Sequence, residues 1–471
     1  MQRRTLLGVV ALVALTVSCT RPEATPVTEP LAPPDTLSPS TTVTTQARTT
    51  TTVDVERAVI YPVDPITLDP IGGFDPIPMG DWYDWYWSAV SNNGSWLAMT
   101  VGNDNTNAAQ LRLINLDSWA TAGTWPMPMG APLQISDDGT ILIESQDHLS
   151  IVSPGTERPT IAAELPPGFF ARSRSLLDDG QVVMFGVKST DPDRYNTGDS
   201  ALLSTELATG ETTEIPLPTV ESGVVAEIDI GEGFPGVVDV NPAMVWDGEA
   251  TVLIVHASQE GVTTVNLVTG EVTEHQFGAG VSSWGPLFTG TSTQGGGAFI
   301  GNSRTAALSP DGSVLYVATT LGEFDVADDG WSSVTSSKGI IAIDTATWQV
   351  SGRLDAPISE VYLSPNGDRL LATGYSYTEG VNTYEYTSSG FYVVDPVDLE
   401  VIAHHVSDEP ERSFGAFSFD GDSPIGYVTS WGQQTNIEVV DLETGDIIHT
   451  RSDPEILLLG EVGILGEVRH P

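Results

Sequence analysis

Tyrosine is the side chain whose spacing in this chain speaks most directly of chemistry. Gly374-Tyr375-Ser376-Tyr377-Thr378-Glu379-Gly380 is followed closely by Asn382-Thr383-Tyr384-Glu385-Tyr386. In extended backbone the side chains alternate between faces, so Tyr375 and Tyr377 share one face of a strand, as do Tyr384 and Tyr386. Flat rings with hydroxyl edges suit a sugar or a protein segment. Asp325, Asp328, Asp329 and Trp331, earlier in the chain, offer carboxylates and a further ring to the same surface. The competing account is cross-strand packing within a long hairpin. A second aromatic run, Asp81-Trp82-Tyr83-Asp84-Trp85-Tyr86-Trp87, leads into an expected inner strand and is assigned to core packing.

Metal and nucleophile chemistry find less to work with. His404 and His405 are neighbours on an expected strand and so point to opposite faces, and the other five histidines are scattered without ligand spacing. Calcium is the one cofactor left open, through Asp325, Asp328 and Asp329 or Asp191 and Asp193. Neither group matches a defined oxygen-ligand loop, and a solvated acidic face is the expectation. The chain has no Gly-x-Ser-x-Gly elbow, no His-Glu-x-x-His and no phosphate-binding glycine loop with lysine. No catalytic residue is assigned.

Composition narrows the class of partner. The 471 residues carry 63 Asp and Glu against 18 Lys and Arg, a net charge of -45. Nucleic acid or an anionic bilayer would be repelled within about a Debye length. Lysine occurs only at Lys188 and Lys338, a pattern similar to the surfaces of salt-adapted proteins, so the acidity reports habitat or partner. Eleven Trp, 12 Tyr and 13 Phe supply a core, while 47 Gly and 32 Pro leave little room for long helices.

The N-terminus reads as a processing signal. Arg3 and Arg4 precede an uncharged run from Thr5 to Val17, too short to span about 30 Å of hydrocarbon with its flanks. Leu15-Thr16-Val17-Ser18-Cys19 resembles the lipobox of bacterial lipoproteins, with the usual Leu displaced by one position. The resemblance implies that residues 1–18 are a signal peptide and that Cys19 is lipidated on the extracytoplasmic face of the cell membrane. Arg3-Arg4-Thr5-Leu6-Leu7 also resembles a twin-arginine export signal. With no second cysteine the fold has no intrachain disulfide. From Cys19 to residue 56 the chain is Thr and Pro with scattered acids, too poor in large apolar residues to offset the entropy of ordering. It is read as a disordered tether.

Residues 57–471 form the folded domain, and they repeat. Asn93-Gly94, Asp138-Gly139, Asp179-Gly180, Asp247-Gly248, Asp311-Gly312, Asn366-Gly367 and Asp420-Gly421 each stand between two short β-type runs, where Gly accepts the positive φ of a tight turn. A second turn follows each of them, as in Val268-Thr269-Gly270 and Glu443-Thr444-Gly445. Each unit therefore holds four short strands. The sharpest copies are Leu308–Thr319 (LSPDGSVLYVAT) with Gly339–Thr345 (GIIAIDT), and Leu363–Thr373 (LSPNGDRLLAT) with Gly390–Asp395 (GFYVVD). These resemble blades of the YVTN and WD40-like β-propellers. The resemblance implies an all-β propeller of four-stranded antiparallel blades, stacked so that both faces of each sheet are covered. Seven full units plus half-units near residues 58–72 and 456–468, joined as a closing blade shared by the two termini, give an expected count of eight; seven is the alternative.

Long segments fall between the second and third strands or between units, at one end of the strands: 188–200, 219–236, 278–304, 321–338 and 374–390. One rim is trimmed and the other elaborated, as in scaffolds that present loops. The expected function is binding of a protein or cell-envelope polymer by a monomeric propeller through the long-loop rim. The alternative is a propeller hydrolase or lactonase using carboxylates at the central channel, and sugar recognition without catalysis is a third reading. Propellers that hold pyrroloquinoline quinone carry Thr-Gly with a Trp shortly after; Thr209-Gly210, Thr269-Gly270 and Thr444-Gly445 lack it.

Overall fold

The computed structural model describes residues 57–469 apart from 81–83, 92, 104–107, 127–130, 178–179, 190–196, 229–235, 278–298, 328–329, 381–382, 410–411, 420–422, 433, 454–455 and 459–463. Cys19 and the Thr/Pro-rich segment lie outside the described residues. The described chain is β-strand joined by turns, and the fold is a β-propeller. Among the described residues no helix is long and apolar enough to cross a membrane.

Local chemistry makes the turns. Ser309, Asp311 and Gly312 show the pattern: Ser309 Oγ donates to Asp311 Oδ1 at 2.7 Å, that oxygen accepts Ser313 N–H at 3.1 Å, and Gly312 takes φ +73°. Ser136 with Asp138, Ser91 with Asn93 and Ser364 with Asn366 repeat it. The donated hydrogen bonds, Ser309 first, hold the Asp311 carboxyl below its usual range. At the second turn of most units an Asp or Asn side chain caps the backbone, as where Asp344 Oδ1 accepts Thr347 N–H at 2.7 Å. The residue four positions after the start of that turn is left-handed. It is Gly at 210, 270 and 445, but Leu68, Trp119, Trp348 and Leu399 take φ of 50–59° in its place. The left-handed form costs these residues roughly 1–2 kcal/mol. Burial offsets it at Leu68 and Leu399, which are enclosed in the core.

Packing then orders the strands. In Gln181–Lys188 every residue from Val182 to Val187 is buried, whereas the outer strand Gln349–Leu354 alternates exposed and half-buried. A strand covered on both faces reads as a continuous apolar run; one at the perimeter alternates. The first strands of successive sheets lie against one another, Phe169–Leu176 on Ala243–Trp246 and Ala243–Trp246 on Phe299–Leu308, so they form the inner wall. Hydrophobic clusters close the circuit. Leu97 and Met99 pack on Ile60 of the closing sheet, Ile437 and Val439 pack on Tyr61 of the same strand, and the remaining clusters join each sheet to the next.

The blade count departs from expectation. Five blades form as four consecutive antiparallel strands, spanning 84–126, 131–164, 169–216, 243–276 and 413–453, not eight or seven. The units around Leu308–Thr319 and Leu363–Thr373 are not separate four-stranded sheets. Their long hairpins, Val314–Ala327 with Gly330–Asp344 and Leu370–Gly380 with Thr383–Val394, join edge to edge through Ser332 to Thr335 against Gly380 to Tyr377. Phe299–Leu308 also extends to pair in parallel with Gly236–Asn241. The result is one ten-stranded sheet. Unpaired edges of long hairpins demand partners, and here each hairpin supplies the other's. The remaining four-stranded sheet draws Arg57–Pro62 and Ile77–Gly80 from one end of the chain and Ile456–Leu458 and Ile464–Arg469 from the other. Its outer strand is Ile77–Gly80; the segment near 66–72 forms a turn at Asp64 and the bridge Val63 to Pro70.

Candidate binding site at the hairpin junction

The ten-stranded sheet gathers most of the residues singled out by sequence. Tyr375 and Tyr377 lie in Leu370–Gly380, and Tyr384 and Tyr386 in Thr383–Val394. Tyr377 stands directly opposite Tyr386, and Tyr384 opposite Glu379. The Tyr375 ring stacks on Tyr377 and on Tyr386, each with centroids 6.2 Å apart and planes within 20° of parallel. All three rings are half-buried. Trp331 and Asp325 occupy neighbouring rungs of the adjoining hairpin, opposite Val326 and Ser332 respectively. Asp328 and Asp329 lie outside the described residues.

Bulges aim these side chains. The register slips between Thr373 and Tyr375 and between Ala318 and Thr320, where each hairpin leaves its blade for the rim. Gly374 permits the bend, because a Cβ there would stand 1.8 Å from the Pro357 carbonyl oxygen. Ser337 Oγ locks the bulged backbone, donating to Tyr375 O at 2.7 Å and accepting from Tyr375 N–H at 3.1 Å.

Sequence reasoning missed the group beneath the tyrosines. Glu360 opens the inner strand Glu360–Leu363, opposite Thr373, and Tyr362 Oη donates to its Oε2 at 3.1 Å. Tyr375 hydrogen-bonds the Thr320 side chain, and its hydroxyl pKa is raised by burial first and then by the Glu360 charge. Burial likewise raises the Glu360 carboxyl, and the Tyr362 hydrogen bond offsets only part of that. Among the described residues no Lys, Arg or His pairs with Glu360. Next to Tyr377 the ladder sets Thr335, and two rungs further, opposite Glu379, Ser333. Both are buried, and Ser333 Oγ has no hydrogen-bond partner among the described residues. A signal for Glu360 did exist. Four residues before the turn serine, the repeats carry Trp87, Pro132 and Thr305 where this unit carries a carboxylate.

A second polar cluster lies inside the wall and is structural. His256 Nε2 is 2.7 Å from Thr263 Oγ1, and its Nδ1 is 2.6 Å from Gln259 Nε2. The amide can only donate, so Nδ1 accepts and the proton sits on Nε2. Burial lowers the His256 pKa to about 4. Arg304, also buried and lowered to about 9 chiefly by burial, donates from Nε to His256 O at 3.1 Å and to Thr319 Oγ1. His404 and His405 stack separately, on Tyr392 and Phe391, and donate to or accept from no common centre. Among the described residues no three His, Cys, Asp or Glu side chains converge as a metal site.

No family model matches the chain, and no curated protein matches it. Solved structures do. Dihydro-heme d1 dehydrogenase NirN aligns at 12% identity over 85% of this chain and 74% of its own, with a TM-score of 0.47. The Dos1 propeller aligns at 9% identity over 86% and 95%, also at 0.47. An oligogalacturonate lyase from Vibrio parahaemolyticus aligns at 14% identity over 74% and 86%, at 0.42. These are likenesses in fold among proteins of different activity, and no chemistry is carried over from them.

Proposed function

We propose that this protein is a lipid-anchored extracytoplasmic binding module that engages a protein or cell-envelope polymer through its long-hairpin rim. The observation that carries the reading is the junction of two hairpins in one sheet, which sets three stacked, half-buried tyrosines beside buried hydroxyls at one end of the inner wall. Rigid aromatic area with polar edges is the composition that dominates interface energies. Hydrolysis by a carboxyl pair would call for a second carboxyl facing Glu360, and the groups beside it among the described residues are the phenols of Tyr362 and Tyr375. Anchoring rests on the lipobox-like Cys19 and the tether after it.

Two experiments test the reading. Cys19→Ser should move the protein from the membrane fraction to the soluble one, and retention under high salt would refute anchoring through that residue. Replacing Tyr375, Tyr377 and Tyr386 with Ser should leave a folded protein that no longer co-sediments with the insoluble envelope fraction. The control changes Asp138 and Asp311 to Asn, which Asn93 and Asn366 show the turn accepts. Equal co-sedimentation of the tyrosine variant and the control would overturn the rim assignment.

A further inference from the structure

Glu360 is a carboxylate that no cation among the described residues neutralises. Among those residues its hydrogen-bond partner is a phenol, and the groups facing it are Tyr362 from its own strand and Tyr375 from Leu370–Gly380. From Phe299–Leu308, the inner strand packed alongside, Thr305 meets Ser359 and Val361 backbone, while Arg304 turns away to His256 and Thr319. From Val314–Ala327 the Thr320 side chain hydrogen-bonds Tyr375 and not Glu360. A carboxylate so enclosed is costly to ionise unless a cation joins it. Tyr375 lies near it, the Tyr377 and Tyr386 rings stack on Tyr375, and rings of this kind attract a cation through their quadrupole. Over the whole molecule a net charge of -45 focuses cations toward a recess of the same sign.

We infer that Glu360, with Tyr362 and Tyr375 beside it and the Tyr377 and Tyr386 rings stacked on Tyr375, receives an alkylammonium group of the bound partner, with the carboxylate as counter-ion and the tyrosine rings as the adjoining surface. This rests on the rim reading above and names the chemistry that the rim selects. The partner would present lysine-type amines, so its own supply of positive charge completes a pair that the chain leaves half-built.

The test uses the full chain and two small probes, Nα-acetyl-lysine methylamide and its norleucine counterpart, which matches the length and lacks the charge. Titration followed by tyrosine fluorescence should show saturable binding of the lysine probe at least tenfold tighter than the norleucine probe. Glu360→Gln should weaken it at least tenfold, and Asp311→Asn on the opposite rim should not. Affinity should fall as pH is lowered through the Glu360 pKa, since the protonated acid no longer serves as counter-ion. Glu360→Gln removes a costly buried charge, so a folded variant is expected, and its melting curve checks this directly. Equal binding of the two probes, or full binding by Glu360→Gln, overturns the inference. If that happens while the tyrosine variant still loses the envelope fraction, the rim reading stands and only the ammonium assignment falls. Loss of neither would sink both.

Discussion

Two titratable groups, the buried His256 and the half-buried Glu360, pull the stability of this protein in opposite directions with pH. The unfolded chain binds a proton at His256 below about 6.5, but the folded one does not until about 4. Between those values the unfolded state holds more protons, so stability falls as pH falls, by up to about 3 kcal/mol if the whole shift is realised. His256→Gln should flatten urea-unfolding free energy between pH 6.5 and 4; an unchanged slope would show that another group titrates there. Glu360 has the other sign. Its folded pKa is raised, so its contribution is fully present below the ordinary carboxyl range and is lost as pH rises through the folded pKa. Glu360→Gln should therefore melt roughly 1–3 °C above wild type at pH 7.5 and level with it near pH 4. A lower melting point at pH 7.5 would mean that the ionised carboxylate is paired after all.

At the scale of elements, the rim is built where glycine lets a strand leave its blade. Gly374, Gly390 and Gly339 sit at those departures, each with a carbonyl oxygen about where a Cβ would go: Pro357 O at 1.8 Å, His405 O at 1.9 Å and Leu354 O at 2.1 Å. Gly374→Ala must push back either Pro357 or the bulge that aims Tyr375. We expect a loss of about 3 kcal/mol and a changed near-ultraviolet tyrosine circular dichroism signal, because the stack depends on the register slip. An unaltered spectrum with unaltered stability would show that the bulge does not position the ring. The sequence makes part of this legible. Alternation alone puts Tyr375 and Tyr377 on one face, and the Ser-x-Asp-Gly turns announce themselves because their hydrogen bonds are local. The edge pairing of Ser332–Thr335 with Tyr377–Gly380 is different. It is made by backbone groups that every residue carries, so nothing in those side chains marks two units as one sheet. Glu360 escaped notice for a related reason: its meaning comes from what stands beside it, Tyr362 two residues on and Tyr375 from the next strand.

The whole molecule is held shut by strands from its two ends. Arg57–Pro62 pairs with Ile464–Arg469 over six rungs, from Arg57 opposite Arg469 to Pro62 opposite Ile464. The same N-terminal segment is also fastened to the neighbouring blade. Tyr427 Oη donates to Pro65 O at 3.0 Å, and Arg451 donates to Tyr61 Oη at 2.7 Å and to Leu68 O. Removing the C-terminal strands would leave those fastenings in place but strip the other edge of Arg57–Pro62, whose Ile60 is fully enclosed. The cost is then an open edge and partial exposure of a core strand, not loss of the ring. Deleting Pro454 to Pro471 should lower the melting temperature by roughly 5–10 °C and raise the tendency to self-associate through the bared edge. Deleting Thr20 to Thr49, a stretch poor in apolar residues that we propose is a tether, should shift it by no more than about 1 °C. Calorimetry with sedimentation velocity on both deletions decides the matter. Equal melting temperatures would mean that Tyr427 and Arg451 close the ring without help from the C-terminal strands.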